Sequence, residues 1–190
     1  MNITGGQARR LRIDVPPGQL VRPSTDRMRE SLFAILRDLL PGARVLDLFA
    51  GSGSLGLESA SRGAAEVVWV EKHPPTAAYI ERNLARLAPA GVTATLRVQV
   101  SPVHAWLARY RGEAFDLILA DPPYQHFAEP VNFHEFLASV AASAAWSADS
   151  LLVVECERRN AQAAPEGWSL LRREDYGASA LLFLENAPAD

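Results

Sequence analysis

From Arg44 onward the chain alternates short apolar runs with stretches of helical spacing, and this alternation restricts the fold more than any other feature. The run at 44–49 is nearly uninterrupted, as expected of a strand covered on both faces, and 67–70, 95–100, 115–120 and 151–155 read as further strands. Between them, residues 54–62 (closed by Gly63), 76–87, the segment holding Trp106 and Leu107 after Ser101-Pro102, and 133–145 carry helical periodicity. Strands separated by helices pair in parallel, because each crossover must return over the sheet. Residues 169–171 and 180–184, joined through Gly177, predict a closing pair of strands. The expected fold is α/β: a doubly wound, mostly parallel sheet with an antiparallel edge.

Two segments precede this alternation. Gly5-Gly6 and Pro16-Pro17-Gly18 are turn signals around Arg12-Ile13-Asp14-Val15, so 1–21 predict a small N-terminal β-hairpin extension. The domain proper is then expected over 22–190. It opens on a helix capped by Ser24 or Thr25, with Leu32, Phe33, Ile35, Leu36, Leu39 and Leu40 on one face and Pro41-Gly42 at its end. The formal net charge of −3 argues against a nucleic-acid partner, but its distribution does not. Residues 1–44 hold eight arginines against four acids, which puts +4 on this front and −7 on the remainder. Such a basic front on an acidic body fits RNA or DNA, with Arg9, Arg10, Arg12 and Arg22 as candidate phosphate contacts. The extension is expected to face that RNA.

The first motif with chemical content is Asp47-Leu48-Phe49-Ala50-Gly51-Ser52-Gly53-Ser54-Leu55-Gly56. A strand, a glycine turn and a helix N-terminus bring backbone N–H groups to the carboxyl edge of the sheet, where a ligand can approach closely. Glu71 follows about twenty residues later at the end of the second strand, where a carboxylate accepts hydrogen bonds from ribose hydroxyls. The glycine spacing alone also fits a nicotinamide-dependent oxidoreductase. Asp47 weighs against that reading, because an acid there repels a pyrophosphate and suits a cationic methionine moiety.

The second motif, Asp121-Pro122-Pro123-Tyr124, follows the fourth strand and has no role in hydride transfer. Two prolines fix successive φ angles and restrict the residues before them, so the backbone is rigid at the ligand crevice. A carboxylate and a proline carbonyl held side by side accept both hydrogens of an aryl amine. They favour its pyramidal form and stabilise the positive charge that grows on nitrogen during methyl transfer. Tyr124 is placed to stack on the base.

These two motifs resemble those of the class I amino-methyltransferases. Gly5-Gly6, the run Arg22-Pro23-Ser24-Thr25-Asp26-Arg27-Met28-Arg29-Glu30-Ser31-Leu32-Phe33 and Tyr176-Gly177 resemble the RsmD family of bacterial 16S rRNA (guanine-N2)-methyltransferases. The resemblance covers essentially the whole chain. It implies a seven-stranded class I (Rossmann-like) methyltransferase sheet and S-adenosyl-L-methionine as methyl donor. It also implies N2 methylation of a single guanine, position 966 in the usual counting, within a partly assembled small ribosomal subunit. Carried over, the donor site comprises Thr25, Asp47, Phe49, Ala50, Gly51, Ser52, Gly53, Glu71, Lys72 and Ser101, and Asp121, Pro122, Pro123 and Tyr124 serve the amine. Many relatives carry an acid near the end of strand three that touches the adenine; here that stretch is Val100-Ser101-Pro102-Val103-His104, with Ser101 as the substitute.

A DNA adenine-N6 methyltransferase uses the same amine chemistry but needs a target-recognition domain for which 190 residues leave no room. A non-catalytic RNA-binding module would have no use for intact donor and amine motifs. His73, His104, His126 and His134 lack metal-ligand spacing, so no metal is expected. Cys156, the only cysteine, sits in an apolar run and reads as a buried thiol. The four tryptophans read as packing residues. With no apolar leader at Met1 and no run of membrane-spanning length, a cytoplasmic monomer without membrane contact is the expectation.

Overall fold

The computed structural model describes residues 1–16, 23–122, 130–160 and 167–187, excluding the side chains of 23–25, 130–132 and 160. Its strands are β1 (Arg44–Leu48), β2 (Glu66–Glu71), β3 (Thr95–Val100), β4 (Leu117–Ala120), β5 (Leu151–Glu157), β6 (Trp168–Tyr176) and β7 (Ser179–Asn186). Its helices are α1 (Pro23–Ile35), α2 (Ser54–Ser61), α3 (Pro74–Leu84), α4 (Val103–Arg109) and α5 (Pro130–Ala141). The seven strands form one sheet in the order β3-β2-β1-β4-β5-β7-β6. β1 to β5 are parallel, while β7 runs antiparallel between β5 and β6. This is the doubly wound, mostly parallel α/β sheet with an antiparallel edge that the alternation of runs predicts.

Strand pleating sorts the core into two layers. Leu46, Leu48, Val68, Val70, Ile118, Ala120, Leu152 and Val154 pack against α4 and α5 through Trp106, Leu107, Phe136, Leu137 and Val140. Val45, Val67, Trp69, Leu117, Leu119 and Val153 face the other way, onto Leu32 and Phe33 of α1, Leu57 and Ala60 of α2, and Ile80 of α3. Both faces are covered, which is why these strands read as continuous apolar runs. β6 reaches far beyond the expected 169–171, because its polar stretch Arg172-Arg173-Glu174-Asp175 lies on an edge strand, where no apolar pattern is needed. α1 ends at Ile35 rather than near Leu40, and the chain continues to β1 through turns.

Of the N-terminal β-hairpin expected over 1–21, the described part pairs residues 1–3 with 10–13 but forms no extended strands. Asn2 and Arg12 form an antiparallel bridge, Ile3 N donates to the Leu11 carbonyl, Arg10 N to the Ile3 carbonyl and Ile13 N to the Met1 carbonyl. The turn between these two stretches is docked on α2. Thr4 N and Gly5 N donate to the Glu58 carboxylate, Gln7 N to the Ser61 carbonyl, and Ala8 N to Ser61 Oγ. Ile3, Ala8 and Ile13 are buried in the same core layer as α1, α2 and α3. Gly6, at φ 76°, lies so close to α2 that a Cβ would meet the Ser61 carbonyl at 1.9 Å, so the segment can seat there only with glycine. No helix among the described residues is long and apolar enough to cross a membrane.

Candidate active site

Strand order reverses between β1 and β4, since β2 and β3 extend the sheet to one side and β5, β7 and β6 to the other. A crevice opens at such a point outside the carboxyl ends of the strands. The segments that follow β1, β2 and β4 all emerge there, and they carry the two motifs and Glu71.

The loop after β1 is held from three sides. Phe49 adopts φ 58°, an uncommon conformation for a non-glycine residue, and its ring packs against Phe136 of α5 at 5.5 Å. Ala50 N donates to the Val70 carbonyl, Gly53 N to the Ala50 carbonyl (2.7 Å), and Gly51 N to Glu71 Oε2 (2.9 Å). Glu71 Oε1 accepts from His73 N at 2.8 Å, so this carboxylate ties the glycine loop to the start of α3. Each of its oxygens keeps a second lone pair for a ligand hydroxyl. Asn83, not anticipated from the sequence, is 2% exposed and donates to the carbonyls of Ser52 and Asp14, while its Oδ1 accepts from Asp14 N. It therefore fastens the loop to the N-terminal segment. Ser52 and Ser101 are buried, and the Ser101 hydroxyl is directed at the Pro102 carbonyl. Lys72 is exposed beside Glu71.

Trp69 explains the third glycine. Its Nε1 donates to the Gly53 carbonyl at 3.1 Å, and a Cβ at position 56 would lie 2.2 Å from the same nitrogen. Gly56 thus answers to an indole and not to a ligand, which agrees with reading this tryptophan as a packing residue.

Electrostatics separate the kinds of ligand the crevice can take. Asp47 is 1% exposed and accepts from Gly56 N at 2.8 Å. Burial, then the charges of Asp121 and Glu71, push its carboxyl well above the usual range, although the Gly56 bond opposes them. The Asp121 carboxyl is pushed up to about 8, first by desolvation and then by Glu155. Asp121 is nevertheless open to solvent on the crevice side. Water reaching it works against the full shift, and the upward direction is what both causes share. A cationic ligand relieves this concentration of negative charge, and a pyrophosphate aggravates it.

Asp121 follows β4 directly, its N–H directed at the Leu48 carbonyl, with Pro122 buried behind it. Pro123, Tyr124, Arg22 and the Thr25 side chain lie outside the described residues. The structure thus brings together Asp47, the 49–53 loop, Glu71, Ser101, Asp121 and Pro122.

Arg9 and Arg10 line a cleft to which residues 49–53 do not contribute. Arg9, Arg10, Asn2, Ile3 and Thr4 form one wall of a cleft of about 260 Å³, and Asp26 and Glu30 of α1 form the other. Tyr176 donates to Ser31 near the carboxyl end of β5, so the half of α1 preceding Ser31 points toward the edge where the crevice opens. Arg10 sits at φ 71°, and neither it nor Arg9 forms a side-chain ion pair among the described residues.

Comparison with known proteins places this geometry in context. A family model described as conserved hypothetical protein 95 matches residues 1–185. Ribosomal RNA small subunit methyltransferase D of Escherichia coli strain K12 is 35% identical over 184 residues, covering 95% of this chain and 87% of the relative. The protein of the same name from Haemophilus influenzae is 30% identical over 187 residues, covering 98% and 94%. The solved structure of the Escherichia coli protein yhhF matches with a TM-score of 0.82 at 31% identity, covering 98% of this chain and 97% of that one.

Proposed function

The chain belongs to the RsmD family of methyltransferases, described as conserved hypothetical protein 95, and from that membership we propose that it methylates the exocyclic N2 of one guanine in 16S rRNA. S-adenosyl-L-methionine is the proposed donor and a partly assembled small subunit in the cytoplasm the proposed substrate. The observation that carries the reading is Asp121, a carboxylate at the switch point whose charge acts on buried Asp47 together with that of Glu71.

Asp47 and Glu71 suit the cationic and hydroxyl-bearing ends of the donor, with Gly51 and Gly53 between them and Thr25, Phe49, Ala50, Ser52, Lys72 and Ser101 around it. Bound donor supplies a methyl carbon on a sulfonium, whose C–S bond breaks as the amine lone pair forms the N–C bond. Asp121 accepts one amine hydrogen and the Pro122 carbonyl the other, which directs the lone pair out of the ring plane. Tyr124 stacks on the base. The methylated nitrogen then carries one proton too many. A carboxyl raised toward neutrality is a fitting acceptor for it, because general bases work best near the operating pH. Transfer of labelled methyl from the donor to small subunits lacking this modification, with mass mapping of the rRNA, tests the assignment. Label on N2 of one guanine is the expected result, and label elsewhere or nowhere refutes it.

Glu71→Ala is expected to weaken donor binding by roughly 2–4 kcal/mol, because it removes a charged acceptor of hydroxyls and releases the Gly51 and His73 amides. Calorimetry with the donor checks this, and unchanged affinity removes Glu71 from the ribose site.

Arg9, Arg10, Arg12 and Arg22 are the proposed phosphate contacts. Replacing Arg9, Arg10 and Arg12 together by alanine should flatten the slope of log affinity against log salt by about 2 for single-stranded RNA. Guanine preference should persist, since phosphate contacts position a substrate without specifying it. An unchanged slope in the folded triple variant moves the RNA footprint elsewhere.

A further inference from the structure

One face of α3 carries an aromatic ring and positive charge that the donor site does not use. Tyr79 and Arg82, one turn apart, share this face, and Arg86 follows on the turn after the helix. The Arg82 guanidinium lies 3.9 Å over the centre of the Tyr79 ring, and its Nε donates to the Ala78 carbonyl. Arg82 is exposed and Tyr79 half-buried. Arg86 ion-pairs with Asp14 at 2.6 Å and donates to the Arg12 carbonyl at 3.0 Å. The Arg86 hydrogen bond first, then the charges of Arg86, Arg12 and Arg82, hold the Asp14 carboxyl below its ordinary value against some desolvation. Three guanidinium groups thus gather around one acid. Among the described residues neither Arg12 nor Arg82 has an acid of its own in ion-pair contact. Buried Ala77, Ile80 and Asn83 anchor α3 from a different side, and Glu81 lies opposite the pair.

This face adjoins the donor loop. Asn83, next in sequence to Arg82, donates to the carbonyls of Ser52 and Asp14. A guanine whose N2 reacts must be unpaired, because pairing engages that amine, so the nucleotides beside it can present unstacked bases. Single strands are held by positive surface interleaved with aromatic rings, and bases stack on such rings or on guanidinium planes. Resting on the rRNA reading, we propose that Tyr79, Arg82 and Arg12 form a docking face for a single-stranded segment of the substrate rRNA next to the target guanine. A base stacks on the outer plane of the Arg82 guanidinium, which Tyr79 backs, while Arg12 and the free N–H groups of Arg82 meet phosphates. The face carries the arginine footprint of the N-terminal segment on toward the donor loop.

Binding of unmodified 16S rRNA over a range of salt concentrations tests this, with donor affinity by calorimetry as the control. Arg82→Gln, which keeps the side chain's length, should weaken rRNA binding at least about fivefold and flatten the slope of log affinity against log salt by about 0.7. Tyr79→Leu should weaken binding about fivefold, the low end for one base–aromatic stack, and leave the slope unchanged. Tyr79→Phe keeps the ring and should bind as wild type does. All three should bind the donor normally. Unchanged rRNA binding in Arg82→Gln and Tyr79→Leu overturns the inference while guanine-N2 methylation by wild type stands. Parallel loss of rRNA and donor affinity marks a structural role and overturns it likewise. Wild type that leaves 16S rRNA unmethylated overturns both.

Discussion

Asp121→Ala should slow methyl transfer by about a hundredfold or more, near 3 kcal/mol of transition-state stabilisation, with donor affinity almost unchanged. The alanine leaves the Pro122 carbonyl as the amine's one remaining acceptor and removes the group that takes the departing proton. Single-turnover rates at saturating donor give the effect directly, and turnover within a few-fold of wild type would remove Asp121 from the chemistry. Asp121→Asn is the more diagnostic companion, because it keeps a carbonyl acceptor but cannot titrate. The working form of Asp121 is the carboxylate, and its carboxyl is raised above the ordinary range, so kcat/KM of the free enzyme should fall as pH drops through that raised value. Asp121→Asn should abolish that acid limb. The same sign governs stability: a carboxyl raised in the fold is favoured protonated, so its contribution declines as pH rises from the unfolded value through the raised one.

Glu58→Ala should be the most damaging substitution for stability. Glu58 is fully buried and accepts from Thr4 N, Thr4 Oγ1, Gly5 N and Arg62 Nε, while Arg29, 3% exposed, lies 3.6 Å away. Removing one member of a buried ion pair leaves the other charge without compensation and typically costs about 3–5 kcal/mol. In a domain of this size that lowers the melting temperature by roughly 10 °C. Amide exchange at Thr4 and Gly5 should rise with it. Urea melts that show less than 1 kcal/mol lost would mean the N-terminal segment is anchored by its apolar residues alone.

What the sequence made legible divides along physical lines. The parallel strands β1, β2, β4 and β5 stand out because burial on both faces forces nearly continuous apolar text, whereas β3 lies at the sheet edge and alternates apolar with polar residues. The donor loop and amine turn stand out because glycine and proline constrain the backbone locally, within a few residues. Contacts across long separations left no such signal. Thr4 and Glu58 are 54 residues apart, and nothing in Gly5-Gly6 beyond a turn tendency announces that their amides will be spent on a helix. The docking of the N-terminal turn on α2 was illegible for that reason. Glu155 and Asn83 were missed similarly. One becomes a neighbour of Asp121 only once β5 is known to lie beside β4, and the other reaches Asp14 and Ser52 only through the packing of α3.

The fit of Gly56 against Trp69 bears on how such chains diverge. The glycine spacing after β1 is shared with dinucleotide-binding folds, where the third glycine serves close helix–strand packing. Here the demand comes from one specific indole, anchored to the Gly53 carbonyl and enclosed by the core. A side chain at position 56 becomes tolerable only after Trp69 has shrunk, while a smaller residue at 69 leaves a void that a larger residue at 56 can fill. Each first step alone is harmful, so the two positions are held to a joint exchange, and a lineage keeps the glycine for as long as it keeps the tryptophan.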